Sequence, residues 1–157
     1  MSQVHREDLA KVQFAREQVE ALFNAHRKAD ALGDRLRAFV LFGPVADGTG
    51  YDEIDVLEVV KDWSGPSQGP ETVEFTGSAD FLLPGHLCLT ILRPEQVEEA
   101  ASSAHPMLQE ITDCSGNGDA VLYDPDGLIA RATQTVRNRL AQLRAEWAAR
   151  AAVRAAA

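Results

Sequence analysis

The chain has 157 residues, 45% of them apolar and 25% charged, with a formal net charge of −9. That length suits one domain with a core of its own, residues 1–157, and excludes two domains of ordinary size. No apolar run approaches the ~20 residues of a membrane helix and residues 1–11 are polar rather than signal-like, so we expect a cytoplasmic protein with no membrane partner.

Residues 7–36 read as the N-terminal helix. Leu9, Val12, Val19, Leu22 and His26 fall near one face with Ala15 between them, and Gly33-Asp34 weakens the pattern. The sheet core follows over residues 38–123. Residues 38–42 are a short apolar strand stopped by Gly43-Pro44. Residues 45–52, with Asp47-Gly48, Gly50 and Asp52, read as a tight loop, and residues 53–61 as a second strand.

Residues 64–70, SGPSQGP, form the clearest loop, joining antiparallel strands or serving as a flap. Residues 71–76 and 86–92 read as strands. Pro94-Glu95 suits a first helical turn, so residues 95–103 should be a helix. His105-Pro106 opens a short helix or turn, with His105 as a capping or turn residue. Residues 115–119 are a turn cluster, residues 120–123 a strand and residues 124–127 a turn. From Leu128 a long C-terminal helix runs over residues 128–157, its stripe being Leu128, Ala132, Val136, Leu140, Leu143, Trp147 and Ala151. The expected class is α+β, a small mixed β-sheet flanked by helices.

Charge is unevenly distributed. Residues 131–157 hold six arginines against one glutamate, a net of +5, which leaves −14 for the rest. An acidic body makes nucleic acid an improbable partner. The basic helix itself suits the chain's own acidic body, a partner or a nucleic acid, the plainest reading being a solvated face matched to the chain's own charge. Cys88 and Cys114 form no CxxC pair and read as ordinary reduced thiols. His86 lies two residues from Cys88, and satisfying a backbone carbonyl is its simpler role. Trp63 and Tyr123 read as core or rim aromatics.

The residues that carry chemistry are Glu53 and Asp55. Two residues apart on a strand, they point to one face. Adjacent carboxylates repel, and a hard divalent cation relieves that repulsion; magnesium suits a few carboxylates plus substrate phosphates. Such a centre serves phosphoryl or nucleotidyl transfer, which asks the protein mainly for positioning and charge neutralisation. Upstream, Gly43 lets a phosphate approach the backbone, and Gly48 and Gly50 keep the loop compact.

The stretch LFGPVADGTGYDEIDVLEVV resembles the signature of the DNA polymerase β-like nucleotidyltransferase superfamily, particularly its minimal bacterial members. The pattern is an apolar strand, Gly-Ser, a Gly-containing loop, then Asp-apolar-Asp and an apolar strand. Leu41-Phe42-Gly43 matches the first part and Ile54-Asp55-Val56-Leu57 the second. The Pro94-Glu95 step and the stretch from Gly118 to Tyr123 resemble later family elements. The resemblance implies a nucleotidyltransferase-like fold, Mg2+ held by Glu53 and Asp55 with Asp52 assisting, and a nucleoside triphosphate approached by Gly43, Pro44 and Gly48.

The chain departs from that pattern at three positions. Pro44 stands where the family has a serine, removing a hydroxyl and an N–H. Glu53 replaces the first aspartate. Cys88 occupies the place of the third carboxylate, with Asp80 the nearest upstream acid. Two expectations follow. One is metal-dependent transfer of a nucleoside monophosphate to a small molecule or protein, with Glu53 and Asp55 as catalytic residues. The alternative is a catalytically inactive relative used as a binding or assembly module. It would be a homodimer or one half of a two-protein complex, held through the C-terminal helix and its Arg137, Arg139 and Arg144.

Overall fold

A computed structural model describes residues 6–28, 33–63, 71–75, 86–114 and 120–156. The chain begins with helix α1 (Arg6–Lys28), a short 3-10 turn (Gly33–Arg35), strand β1 (Leu36–Phe42) and a short helix α2 (Gly43–Asp47). Strands β2 (Glu53–Val60), β3 (Glu71–Phe75) and β4 (His86–Leu92) follow. Helices α3 (Pro94–Ser102) and α4 (Pro106–Cys114), strand β5 (Val121–Tyr123) and helix α5 (Leu128–Ala156) complete it. The strands form one mixed sheet in the order β3-β4-β2-β1-β5. β1 is antiparallel to β2 and β5, β2 is parallel to β4, and β3 is antiparallel to β4. The expected α+β architecture with a long C-terminal helix is therefore present.

Two boundaries differ from the sequence reading for identifiable reasons. The N-terminal helix ends at Lys28, and strand pairing takes over at Leu36. The Arg35 carbonyl accepts the Lys61 N–H at 2.8 Å, while the Arg35 guanidinium donates to the Lys61 and Asp62 carbonyls at 3.1 and 3.0 Å. These bonds zip the approach to β1 onto the end of β2, so tertiary pairing overrides helical propensity. The second difference is α2, where a loop is expected over residues 45–52. Pro44 sits in its first turn, and Gly48 closes it in the left-handed region at φ 73°. Val45 and Ala46 are buried, and the Arg16 guanidinium donates to their carbonyls at 3.1 and 2.6 Å. A cation on the last carbonyls of a helix meets the negative end of its dipole. The loop expected over residues 64–70 and the turn expected over residues 115–119 lie outside the described residues, as does Asp80.

Strand alternation gives the sheet two faces. Phe39 and Leu41 lie on the α1 side, where the Phe23 ring sits 5.2 Å from Phe39 and 5.6 Å from Tyr123. Val12, Ala15, Val19, Leu22 and Phe23 form the buried stripe of α1, whereas Leu9, expected in that stripe, is exposed. Burying a side chain such as Phe39 contributes roughly 1.5–3 kcal/mol. Trp63 and Tyr123 are partly buried against the core, in line with their expected roles.

The other face carries Val40, Phe42, Asp55 and Cys88 and is overlain by α4. α3 and α4 pack on α5, which also reaches β1. His105 caps α4, its Nδ1 accepting the Met107 N–H at 3.2 Å, while Asp124 Oδ2 accepts the Ile129 and Ala130 N–H groups at the start of α5. Along α5, Leu128, Ala132 and Val136 are buried and Leu140 packs at the edge of the core. The stripe then runs off the body: residues 144–156 are exposed and Trp147 is 72% exposed. Among the described residues, no helix is long and apolar enough to cross a membrane.

Candidate functional site

The burial of β2 changes along its length. Glu53 is exposed and Asp55 half-buried, while Ile54 between them and everything from Val56 to Val60 are buried, Glu58 included. The carboxylates of Glu53 and Asp55 therefore sit at the open end of an otherwise internal strand. Asp55 pairs with Phe42 on β1 and with Cys88 on the parallel strand β4. This register puts Glu53, Asp55 and Cys88 on one face. One ligand atom from each converges so that all three lie within 4.8 Å of one another. The Cys88 thiol sits 3.7 Å from Glu53 Oε1.

These groups line a cleft of about 700 Å³ between the sheet end, α2 and α4. Asp47, Glu110 and Asp113 join Glu53 and Asp55 there, and no lysine or arginine is among the described lining residues. Such an acidic enclosure disfavours a further negative charge. Asp55 shows the effect: its pKa rises from 3.8 to about 6, first through burial and then through Glu53 and Glu110.

Gly43 has a sharper role than the sequence indicates. It sits at φ 72°, and a Cβ at this position would run into Asp55 Oδ2. The missing side chain makes room for the carboxylate itself. The Gly43 backbone also hydrogen-bonds Cys114, whose thiol donates to Asp47 Oδ1 at 3.2 Å. Burial, followed by the bond to Asp47, pushes the Cys114 thiol up to about 11, and the Gly43 bond only partly opposes this. Cys114 thus remains a buried, protonated bridge between α4 and α2, whereas Cys88 is half-buried.

Of the residues singled out from the sequence, the structure brings Glu53, Asp55, Gly43 and Pro44 together in one cleft. Pro44 also serves the turn behind it, its carbonyl accepting the Thr49 N–H at 2.9 Å and the Gly50 N–H at 3.3 Å. Gly48 caps α2 and Asp52 is exposed ahead of β2; neither lies among the residues lining the cleft. Asp52 fails to join because its neighbour Glu53 already faces the cleft and strand side chains alternate. Glu110 and Asp113 were missed. Their spacing of three on a short helix is the signal that would have found them, since i and i+3 share a face. No known protein-family model matches the chain, and no curated protein matches it.

Two predictions follow from this geometry. A raised carboxyl pKa means that the folded chain holds the Asp55 proton more tightly than the unfolded chain. Stability from this group is full below about pH 4 and is lost as pH rises towards 6. Asp55→Asn should therefore be more stable than the parent at pH 7, and its stability should change less between pH 4 and 6, as read by urea unfolding. Gly43→Ala should destabilise by ~1–3 kcal/mol, combining a left-handed backbone with the carboxylate collision. Adding Asp55→Ala should recover part of that loss in a double-mutant cycle, because it removes the collision and leaves the backbone strain.

Proposed function

We propose that the chain is a nucleotidyltransferase-like protein whose cleft takes a divalent cation on Glu53 and Asp55 and a nucleoside triphosphate beside it. Its reaction would be transfer of a nucleoside monophosphate to a small-molecule or protein acceptor. The observation that carries this reading is the convergence of Glu53 and Asp55 in a cleft that Gly43 and Pro44 also line. Gly43 and Asp55 belong to the segments on which the superfamily resemblance rests, while Glu53 and Pro44 are two of its departures. Two carboxylates on one face fit a divalent cation, while the thiol in third place departs from what magnesium prefers.

A bound cation would supply positive charge to the phosphates and relieve the Glu53–Asp55 repulsion. The chain's own residues set the conditions for it. Glu53 and Asp55 offer oxygen donors from a rigid strand. Gly43 keeps the Asp55 carboxylate unobstructed. Pro44 offers neither hydroxyl nor N–H, and the described lining of the cleft carries no lysine or arginine. A polyphosphate therefore has little protein-borne countercharge and should enter with its cation. Neither Cys88 nor Cys114 is in a disulfide, which suits a reducing compartment, and a cytoplasmic location belongs to the same proposal.

A second reading, an inactive assembly module, is favoured by the end of α5. Trp147 and Val153 are each 72% exposed there, on a helix that also carries Arg144, Arg150 and Arg154. In this reading that surface binds an acidic partner or a second copy, and the cleft no longer turns over.

Calorimetry with each triphosphate, in magnesium or manganese and in chelator, tests the first reading. Binding should require the cation and weaken about tenfold or more in Asp55→Ala. Binding that ignores both the cation and Asp55, or no binding at all, would sink it. For the second reading, light scattering should show an assembly that Trp147→Ala with Arg150→Glu dissolves without changing unfolding by more than ~0.5 kcal/mol, because both side chains are exposed. A parent chain that stays monomeric with no bound partner counts against it.

A further inference from the structure

We infer that Glu53, Asp55 and Cys88 form a mixed oxygen–sulfur site that selects zinc over magnesium. The inference rests on the metal reading of the cleft and makes no use of nucleotide binding. Its starting point is spacing. Donors bonded to zinc at about 2.0–2.3 Å sit about 3.3–3.8 Å apart around a tetrahedron. Cys88 Sγ and Glu53 Oε1 already stand 3.7 Å apart, and all three ligand atoms fall within 4.8 Å of one another. Small side-chain rotations close the remainder.

The scaffold is rigid where it matters. Asp55 and Cys88 are direct partners in the β2–β4 register, and Glu53 lies one same-face step away. Gly43 independently points to the same place, since a Cβ there would fill the space the Asp55 carboxylate occupies. Three protein ligands would leave a fourth tetrahedral position open, and all three residues line the 700 Å³ cleft. That coordination count is the pattern of a reactive zinc centre, as opposed to a closed structural one.

The donor chemistry decides between metals. Magnesium demands near-octahedral oxygen ligation, and a thiol is a poor member of such a set. Thiolate with carboxylates suits zinc, which accepts four-coordinate geometry without penalty. Binding would convert the Cys88 thiol to thiolate, with one proton released to solvent per ion bound from this residue. Cys114 cannot take its place, because it is buried and its thiol is committed to Asp47.

Cobalt(II) titration of the metal-free full-length chain, without nucleotide, provides the test. One equivalent should produce a near-ultraviolet thiolate-to-cobalt charge-transfer band together with visible bands of tetrahedral intensity. Zinc should displace it stoichiometrically, and a large excess of magnesium should not. Cys88→Ser should lose the charge-transfer band and bind zinc about a hundredfold or more weaker, while Cys114→Ser keeps the band. Absence of the band, its survival in Cys88→Ser, or displacement by magnesium at comparable concentration overturns the inference. Should Cys88→Ser fail to fold, alkylation of the parent chain read by mass spectrometry decides: zinc must protect Cys88 and magnesium must not, and equal labelling in both overturns the proposal. Zinc binding with no triphosphate binding would uphold this site while removing the nucleotidyl-transfer reading. The converse result would do the opposite.

Discussion

Parallel pairing of β2 with β4 is the constraint on which the cleft depends. It joins strands that are separated in sequence by β3 and both connections to it, and its register sets Asp55 against Cys88. A slip of one residue would turn every side chain of one strand to the opposite face. The slip is prevented by burial: Ile54, Val56, Leu57, Val59 and Val60 of β2 and Leu87, Leu89 and Leu92 of β4 are all in the core. Apolar packing along the strands thus determines which polar groups meet at their ends.

At that end the energetics run the other way. Half-burying Asp55 beside Glu53 and Glu110 costs stability, and the raised pKa of Asp55 records it. Gly43 is compatible with that carboxylate only because it lacks a side chain. α2 is held in place by Arg16 on its last carbonyls and by the Cys114–Asp47 bond to α4. Supporting bonds of this kind surround the carboxylates with fixed elements, which is how a locally unfavourable charge arrangement persists in an otherwise stable fold.

α5 divides into two physically different halves. Its first half is anchored by Leu128, Ala132 and Val136 in the core and by Asp124 at its N-terminus. Its second half is exposed, and among the described residues no ion pair ties Arg144, Arg150 or Arg154 to the chain's own acidic surface. The basic residues of the tail and the acidic residues of the cleft are therefore both left facing solvent, where each is available to a molecule of opposite charge.

The sequence by itself determined the elements whose cause is local. Apolar runs of strand length, Pro94 in a first turn, His105 as a cap and the long period of α5 were all legible, because propensity and periodicity act over a few residues. Glu53 and Asp55 were legible as a same-face pair for the same reason. The short α2, the early start of β1 and the exposure of Trp147 were not, since each depends on what the segment meets in space: Arg16, Lys61 or, among the described residues, mainly solvent. Only the tertiary structure decided that Asp52 and Gly48 stay outside the cleft and that Glu110 and Asp113 enter it. Register between distant strands and the placement of a helix over a sheet are products of core packing, and a reading along the chain contains no term for them.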